Sequence, residues 1–133
     1  QGIVNIYKSL AIIDNIDSKL EDASDISRSY IENNDPLCVE TMEIFYKVLA
    51  QYLGNMVLIS GAFGGVYIAG GIMPRIIDAL SLQVFTEAFS SKGRFSSYVL
   101  AAPIYLITEP QPGLIGANVY LYQQQKKETP NEQ

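Results

Sequence analysis

Residues 60–75, SGAFGGVYIAGGIMPR, place two glycine pairs, Gly64–Gly65 and Gly70–Gly71, on either side of the apolar run Val66–Tyr67–Ile68–Ala69. Glycine loses more backbone freedom on folding than any other residue. A cluster of it in the most apolar region of a chain implies a need for bare main chain, or for φ angles closed to other residues. The order strand, glycine turn, then a helix opening near Pro74 is that of an α/β nucleotide site, beyond the carboxyl end of a strand. Two adjacent residues without Cβ atoms let a flat ring or a phosphate approach the backbone. A helix start adds free N–H groups and a positive dipole end. Tight turns and close helix–strand packing would use the same glycines, so the pattern permits a site without specifying one.

Other chemistry is limited by what the chain lacks. Its 133 residues include no histidine, which removes the usual general base, any Ser-His or Cys-His pair and the commonest transition-metal ligand. The single cysteine, Cys38, excludes an internal disulfide and suits a reducing compartment, and it reads as a small apolar residue on a helix. A Walker loop needs Gly-Lys-Ser/Thr, whereas the first lysine after the glycines is Lys92. A dinucleotide fold needs G-x-G-x-x-G directly after its first strand, and here GAFGG follows a long helical pattern. Asp78 and Glu87 lie on amphipathic stretches and read as solvated faces. No residue is expected to be catalytic, and none to bind a metal.

The elements that must position the glycines follow from periodicity. Ile3, Ile6, Tyr7, Leu10 and Ile13 predict a helix over 2–13, with no capping side chain before it. Ser24 is expected to cap a short helix with Ile26, Tyr30 and Ile31 inward. Asp35–Pro36 starts a long helix whose stripe is Cys38, Met42, Phe45, Leu49, Tyr52 and Met56, ending near Ser60–Gly61. Short buried strands are expected at 66–69 and 104–108, with helices at 74–82, about 84–89 and 114–124 around them. Strands separated by helices imply parallel pairing. Two of them make too small a sheet alone, and with the uncapped start this is the expectation for a piece of a larger protein.

The chain is 48% hydrophobic and 17% charged, so it can bury one domain's core. A net charge of −5 with nine scattered Lys and Arg residues leaves no basic face for nucleic acid. Residues 48–74 carry no charge, but Gln51, Asn55, Ser60 and the glycines argue against a membrane span.

Three blocks, GGVYIAGGIMPR, SSKGRF and IYLITEPQPGLIGA, resemble in order and spacing the C-terminal part of bacterial-type glucokinases. The opening GIVNIY is similar to the GLVNLY helix of that family, and the resemblance runs from Gln1 to Gln124. It implies an α/β fold, the helix-rich C-terminal portion of a ribonuclease-H-like (actin-like ATPase) domain. Residues 1–124 would end the large domain, and 125–133 would be a polar, disordered tail.

The resemblance implies nucleotide binding by Gly64, Gly65, Gly70, Gly71, Ile72, Met73 and Arg75. Gly70–Gly71 would be the adenosine-motif glycines, with Ile72, Met73 and Arg75 bordering adenine or ribose. The implied activity is transfer of the γ-phosphoryl group of ATP to the 6-hydroxyl of glucose with Mg²⁺, in the cytoplasm, as the first step of glycolysis. In the family the catalytic aspartate, sugar ligands and phosphate loop lie upstream, so this chain alone is expected to be inactive. Its implied partners are ATP, glucose, the missing N-terminal segment and, as is common in the family, a second subunit in a homodimer. Ala62 stands where many members have Thr, and Gln111 where Asn is common. Rival expectations are a kinase of another hexose or an aminosugar, a helical interaction module, and a non-catalytic regulator that kept the kinase fold.

Overall fold

The structure, a computed structural model, describes residues 1–128. Its centre is the longest helix. The Asp35 carboxylate accepts a hydrogen bond from the Leu37 N–H at 2.9 Å, Pro36 occupies the first turn, and α3 (Pro36–Ser60) runs on to Gly61. Gly61 closes it with a φ of 63°, the left-handed conformation that glycine takes without a Cβ penalty. The buried column of α3 is Cys38, Met42, Tyr46, Ala50 and Gly54, at intervals of four, continued by Val57. Phe45, Leu49 and Met56, expected inward, are half-buried, and Tyr52 is exposed. The deepest contacts use the small residues Ala50 and Gly54, where neighbouring helices come closest.

Helices α1 (Gly2–Ile13), α2 (Ala23–Glu32) and α5 (Leu82–Ser90) pack around α3. α1 starts without a side-chain cap, as expected, and buries Ile3, Tyr7 and Ala11. Ile13 is 75% exposed rather than inward, because two residues beyond Ala11 the helix has turned to its far side. In α2, Asp22 rather than Ser24 takes the N-cap position, Ile26, Ser27 and Tyr30 are buried, and Ile31 faces outward. α5 sets Phe85 and Phe89 into the core. A Cβ on Gly54 would collide with the Phe89 carbonyl oxygen and lie 2.7 Å from Lys92 Cε. The Lys92 ammonium continues past this point and donates to the Gln51 carbonyl at 3.0 Å.

The two apolar runs pair as expected, in parallel. β1 (Val66–Ile68) and β2 (Ile104–Leu106) are joined in the register Val66↔Ile104, Tyr67↔Tyr105 and Ile68↔Leu106. Bonds from the Val66 N–H to the Pro103 carbonyl (2.8 Å) and from the Ile107 N–H to the Ile68 carbonyl (2.9 Å) extend the ladder. Both strands are shorter than the expected 66–69 and 104–108, and they are not buried on both faces. Val66, Ile68, Ile104 and Leu106 pack against the core, while Tyr67 and Tyr105 stack on the open face with ring centroids 4.9 Å apart. This alternation is the period of two that a one-sided sheet imposes.

Between the strands run α4 (Met73–Ile76), α5, a 3₁₀ turn (Gly93–Phe95) and α6 (Ser96–Leu100). The helix expected over 74–82 is broken. α4 is one turn long, the Ala79 carbonyl accepts the Tyr30 hydroxyl at 2.6 Å, and the Ser81 hydroxyl accepts from the Val84 N–H to start α5. A distant tyrosine thus fastens the non-helical segment between α4 and α5. After β2, α7 (Pro112–Glu128) carries Leu114, Ile115, Val119, Tyr120, Leu121 and Tyr122 exposed. Residues 125–128, expected within the polar tail, are helical, since Gln, Lys and Glu are good helix formers without any apolar stripe. The rest of that tail, 129–133, lies outside the described residues. Among the described residues no helix is long and apolar enough to cross a membrane.

Candidate functional site

Parallel pairing brings the carboxyl ends of β1 and β2 side by side, so the turns that follow them share one rim. Gly70, Gly71, Pro74 and Arg75 on one side, with Thr108 and Glu109 on the other, line a cavity of about 340 Å³. That is the position at which ligands bind in parallel α/β sheets, and the volume is at the lower end of small-molecule sites, about 300–1,000 Å³.

The two glycines serve different purposes. Gly70 has a φ of 126°, a conformation L side chains rarely adopt, so the turn itself requires it. Gly71 is not among the positive-φ residues, and a Cβ on it would meet nothing within 4 Å. Neither turn geometry nor packing explains why residue 71 lacks a side chain, and the residue lies in the wall of the cavity. Arg75, in the last turn of α4, is exposed; its backbone N–H donates to the Ile72 carbonyl at 3.0 Å, while its guanidinium makes no hydrogen bond or ion pair among the described residues. The Glu109 carboxylate accepts the Gln111 N–H at 3.1 Å, which ties down the second turn.

Of the expected site residues, Gly70, Gly71 and Arg75 come together; the others do not join them in this cavity. Gly64 and Gly65 sit at the opposite, amino-terminal end of β1. There Gly65 (φ 120°) has Tyr105 and Pro103 so close that a Cβ would lie 2.7 Å from the tyrosine ring. Its smallness serves strand packing. Ile72 precedes α4 and is exposed, and Met73 is buried, facing a separate apolar cavity of about 190 Å³ with Ile68, Ile77 and Phe85. The expected helix dipole is slight as well, because a single turn aligns few peptide units. Thr108 and Glu109 are the residues that the sequence did not single out. Their signal was the TEPQPG turn after the second apolar run, which matters only once the strands are known to be parallel neighbours.

Among the described residues, Cys38, Asp78 and Glu87 form no second centre. Cys38 is fully buried with its sulfur 3.6 Å from an Asp35 oxygen, and burial pushes its thiol up, away from the reactive thiolate. Asp78 and Glu87 are exposed, as expected of solvated faces. Among the described residues no group of three or more His, Cys, Asp or Glu side chains could hold a metal ion.

Comparison with known proteins bears on the family of the chain. The sequence model of the family described as Glucokinase matches residues 1–124. The chain is 42% identical over 123 residues to the glucokinase of Pectobacterium atrosepticum and 45% identical over 128 residues to that of Colwellia psychrerythraea. Each match covers 92% of this chain and 38% of the relative, so the chain spans little more than a third of their length. The crystal structure of a glucokinase from an Antarctic psychrotroph superposes with a TM-score of 0.79 at 36% identity, over 92% of this chain and 38% of that one. A match over nearly the whole chain in sequence and in fold assigns this helix-rich α/β chain to the glucokinase family.

Proposed function

We propose that the chain supplies the adenosine side of the ATP site of a glucokinase, an enzyme that transfers the γ-phosphoryl group of ATP to the 6-hydroxyl of glucose. Residues 1–124 correspond in this reading to the C-terminal part of the large, ribonuclease-H-like domain of such an enzyme. The observation that carries it is Gly71. A residue in the wall of a cavity, whose backbone and packing would both admit a side chain, supports a need for bare main chain where a ligand would enter.

The chain's own residues suit an uncharged nucleoside better than a phosphate. Glu109 in the wall repels anions, and the one-turn α4 offers little dipole. Gly70 and Gly71 let the flat nucleoside lie against main chain, while Pro74 and Pro110 add apolar surface to the cavity wall. The Arg75 guanidinium stands free at the edge to donate hydrogen bonds. Phosphoryl transfer depends on positioning and charge neutralisation rather than covalent help from protein, and positioning is what this wall provides. The Mg²⁺ that such enzymes use finds no ligand cluster among the described residues.

The test is Gly71→Val in the full-length polypeptide that carries this chain. The Michaelis constant for ATP should rise about tenfold or more, the effect of roughly 1.4 kcal/mol of lost binding, with that for glucose nearly unchanged. An unaltered constant for ATP would refute the reading.

A further inference from the structure

The cavity wall made by Pro74 and Arg75 stands on a short base. From Ile72 to Leu80 the main-chain bonds are local, and each closes a single turn. The Arg75 N–H donates to the Ile72 carbonyl (3.0 Å), that of Ala79 to Ile76 (3.0 Å) and that of Leu80 to Ile77 (3.4 Å). Met73, Ile76 and Leu80 bury their side chains in the core. Apolar burial holds the run against the core but is non-directional, so it leaves the orientation of the turns unfixed. Direction comes from a hydrogen bond. Among the described residues, the bond that ties this run to another helix is donated by the Tyr30 hydroxyl of α2 to the Ala79 carbonyl at 2.6 Å. Tyr30 is buried, and burial pushes its phenol up, so the donor keeps its proton through the neutral range.

We propose that Tyr30 is a positioning residue for the nucleotide wall, fixing through Ala79 where α4 holds Pro74 and Arg75 across the cavity from Thr108 and Glu109; the inference rests on the reading given above. Tyr30 itself does not line the cavity, so its effect on a ligand there passes through α4. Removing the hydroxyl takes away the partner of the Ala79 carbonyl. α4 is one turn long and has few bonds of its own to resist displacement. Thr108 and Glu109 instead follow directly from the β1–β2 ladder, which Tyr30 does not touch. The change therefore falls on one wall of the cavity, and on the affinity for what that wall contacts.

The test is Tyr30→Phe in the full-length polypeptide, which keeps the ring in the core and removes only the oxygen. KM for ATP should rise about 2–10-fold, the worth of one such hydrogen bond expressed as affinity. KM for glucose and kcat should stay within about twofold of the parent. A role in stability alone would lower Tm and leave KM for ATP where it is. That result overturns the proposal, as does a parallel rise in both Michaelis constants. A double-mutant cycle with Arg75→Ala checks the route. If Tyr30 acts by placing α4, its substitution should cost less ATP affinity in the Arg75→Ala protein than in the parent, and full additivity refutes that route. If Gly71→Val raises KM for ATP and Tyr30→Phe does not, this inference falls while the glycine reading stands. A rise with Tyr30→Phe alone removes the glycine reading and, with it, the inference built on it. If neither substitution matters, both fall.

Discussion

Changing Gly54 to alanine sets two effects of opposite sign against each other. Inside a helix, alanine is favoured over glycine by about 1 kcal/mol, so propensity alone predicts a more stable protein. The new Cβ, however, would collide with the Phe89 carbonyl oxygen and lie 2.7 Å from Lys92 Cε and 3.3 Å from the Phe89 carbonyl carbon. The lysine stem can swing aside at the loss of its exposed hydrogen bond to Gln51. The Phe89 carbonyl is main chain of α5 and cannot, so α3 and α5 must separate, loosening Phe85 and Phe89. Overpacking of this kind costs about 1–3 kcal/mol and occasionally more, and separating two buried phenylalanines adds to it. We expect a net loss of about 2 kcal/mol, a fall in Tm of about 6–10 °C for a chain of this size. Gly71→Ala is the control: nothing lies within 4 Å of its Cβ, so Tm should hold or rise slightly. Urea and thermal unfolding followed by circular dichroism measure both. A Gly54→Ala variant as stable as the parent would refute the claim that this glycine sets the α3–α5 distance.

Two other substitutions test the same core. Tyr46 is 1% exposed, and burial, with Glu43 and Tyr30 nearby, pushes its phenol up to about 12 from an ordinary value near 10. A folded pKa above the unfolded one stabilises below the unfolded value and loses that contribution as pH climbs through the folded one. Stability should therefore fall by at most about 2–3 kcal/mol between pH 10 and 12, and Tyr46→Phe should flatten that decline in alkaline titrations of unfolding. Asp35→Ala removes the acceptor for the Leu37 N–H at the start of α3 and should cost about 1 kcal/mol in urea titrations, with Asp35→Ser recovering most of it.

What could be read in advance divides along physical lines. Both ends of α3 were legible, because Asp35–Pro36 and Gly61 act through side-chain and backbone chemistry confined to a few neighbouring residues. The parallel pair was legible from two β-rich apolar runs with helices between them. The break after α4 was not, and the bond that fastens the segment beyond it joins the Ala79 carbonyl to Tyr30 from far along the chain. Nor were the separate duties of the glycines. Gly54 admits a helix, Gly65 admits a tyrosine ring, Gly70 makes a turn and Gly71 faces a cavity. The letter is the same in each case, and only the three-dimensional surroundings distinguish the reasons. The site was half legible for the same cause: its glycine lip is contiguous in sequence, while Thr108 and Glu109 reach it through strand register.

The parallel register has a consequence for how the molecule is built. α1, α2 and α3 follow one another along the chain and are joined by short connections, so their contacts close small loops that form early and fast. The partner of β1 arrives only after α4, α5 and α6 have been made, and the rim around Gly71 does not exist until β2 has docked. A growing chain that stops short of Ile104 lacks the second wall of the cavity beside Gly71. In the reading proposed above, a nucleotide that binds only the joined strands would hold the last step of assembly closed.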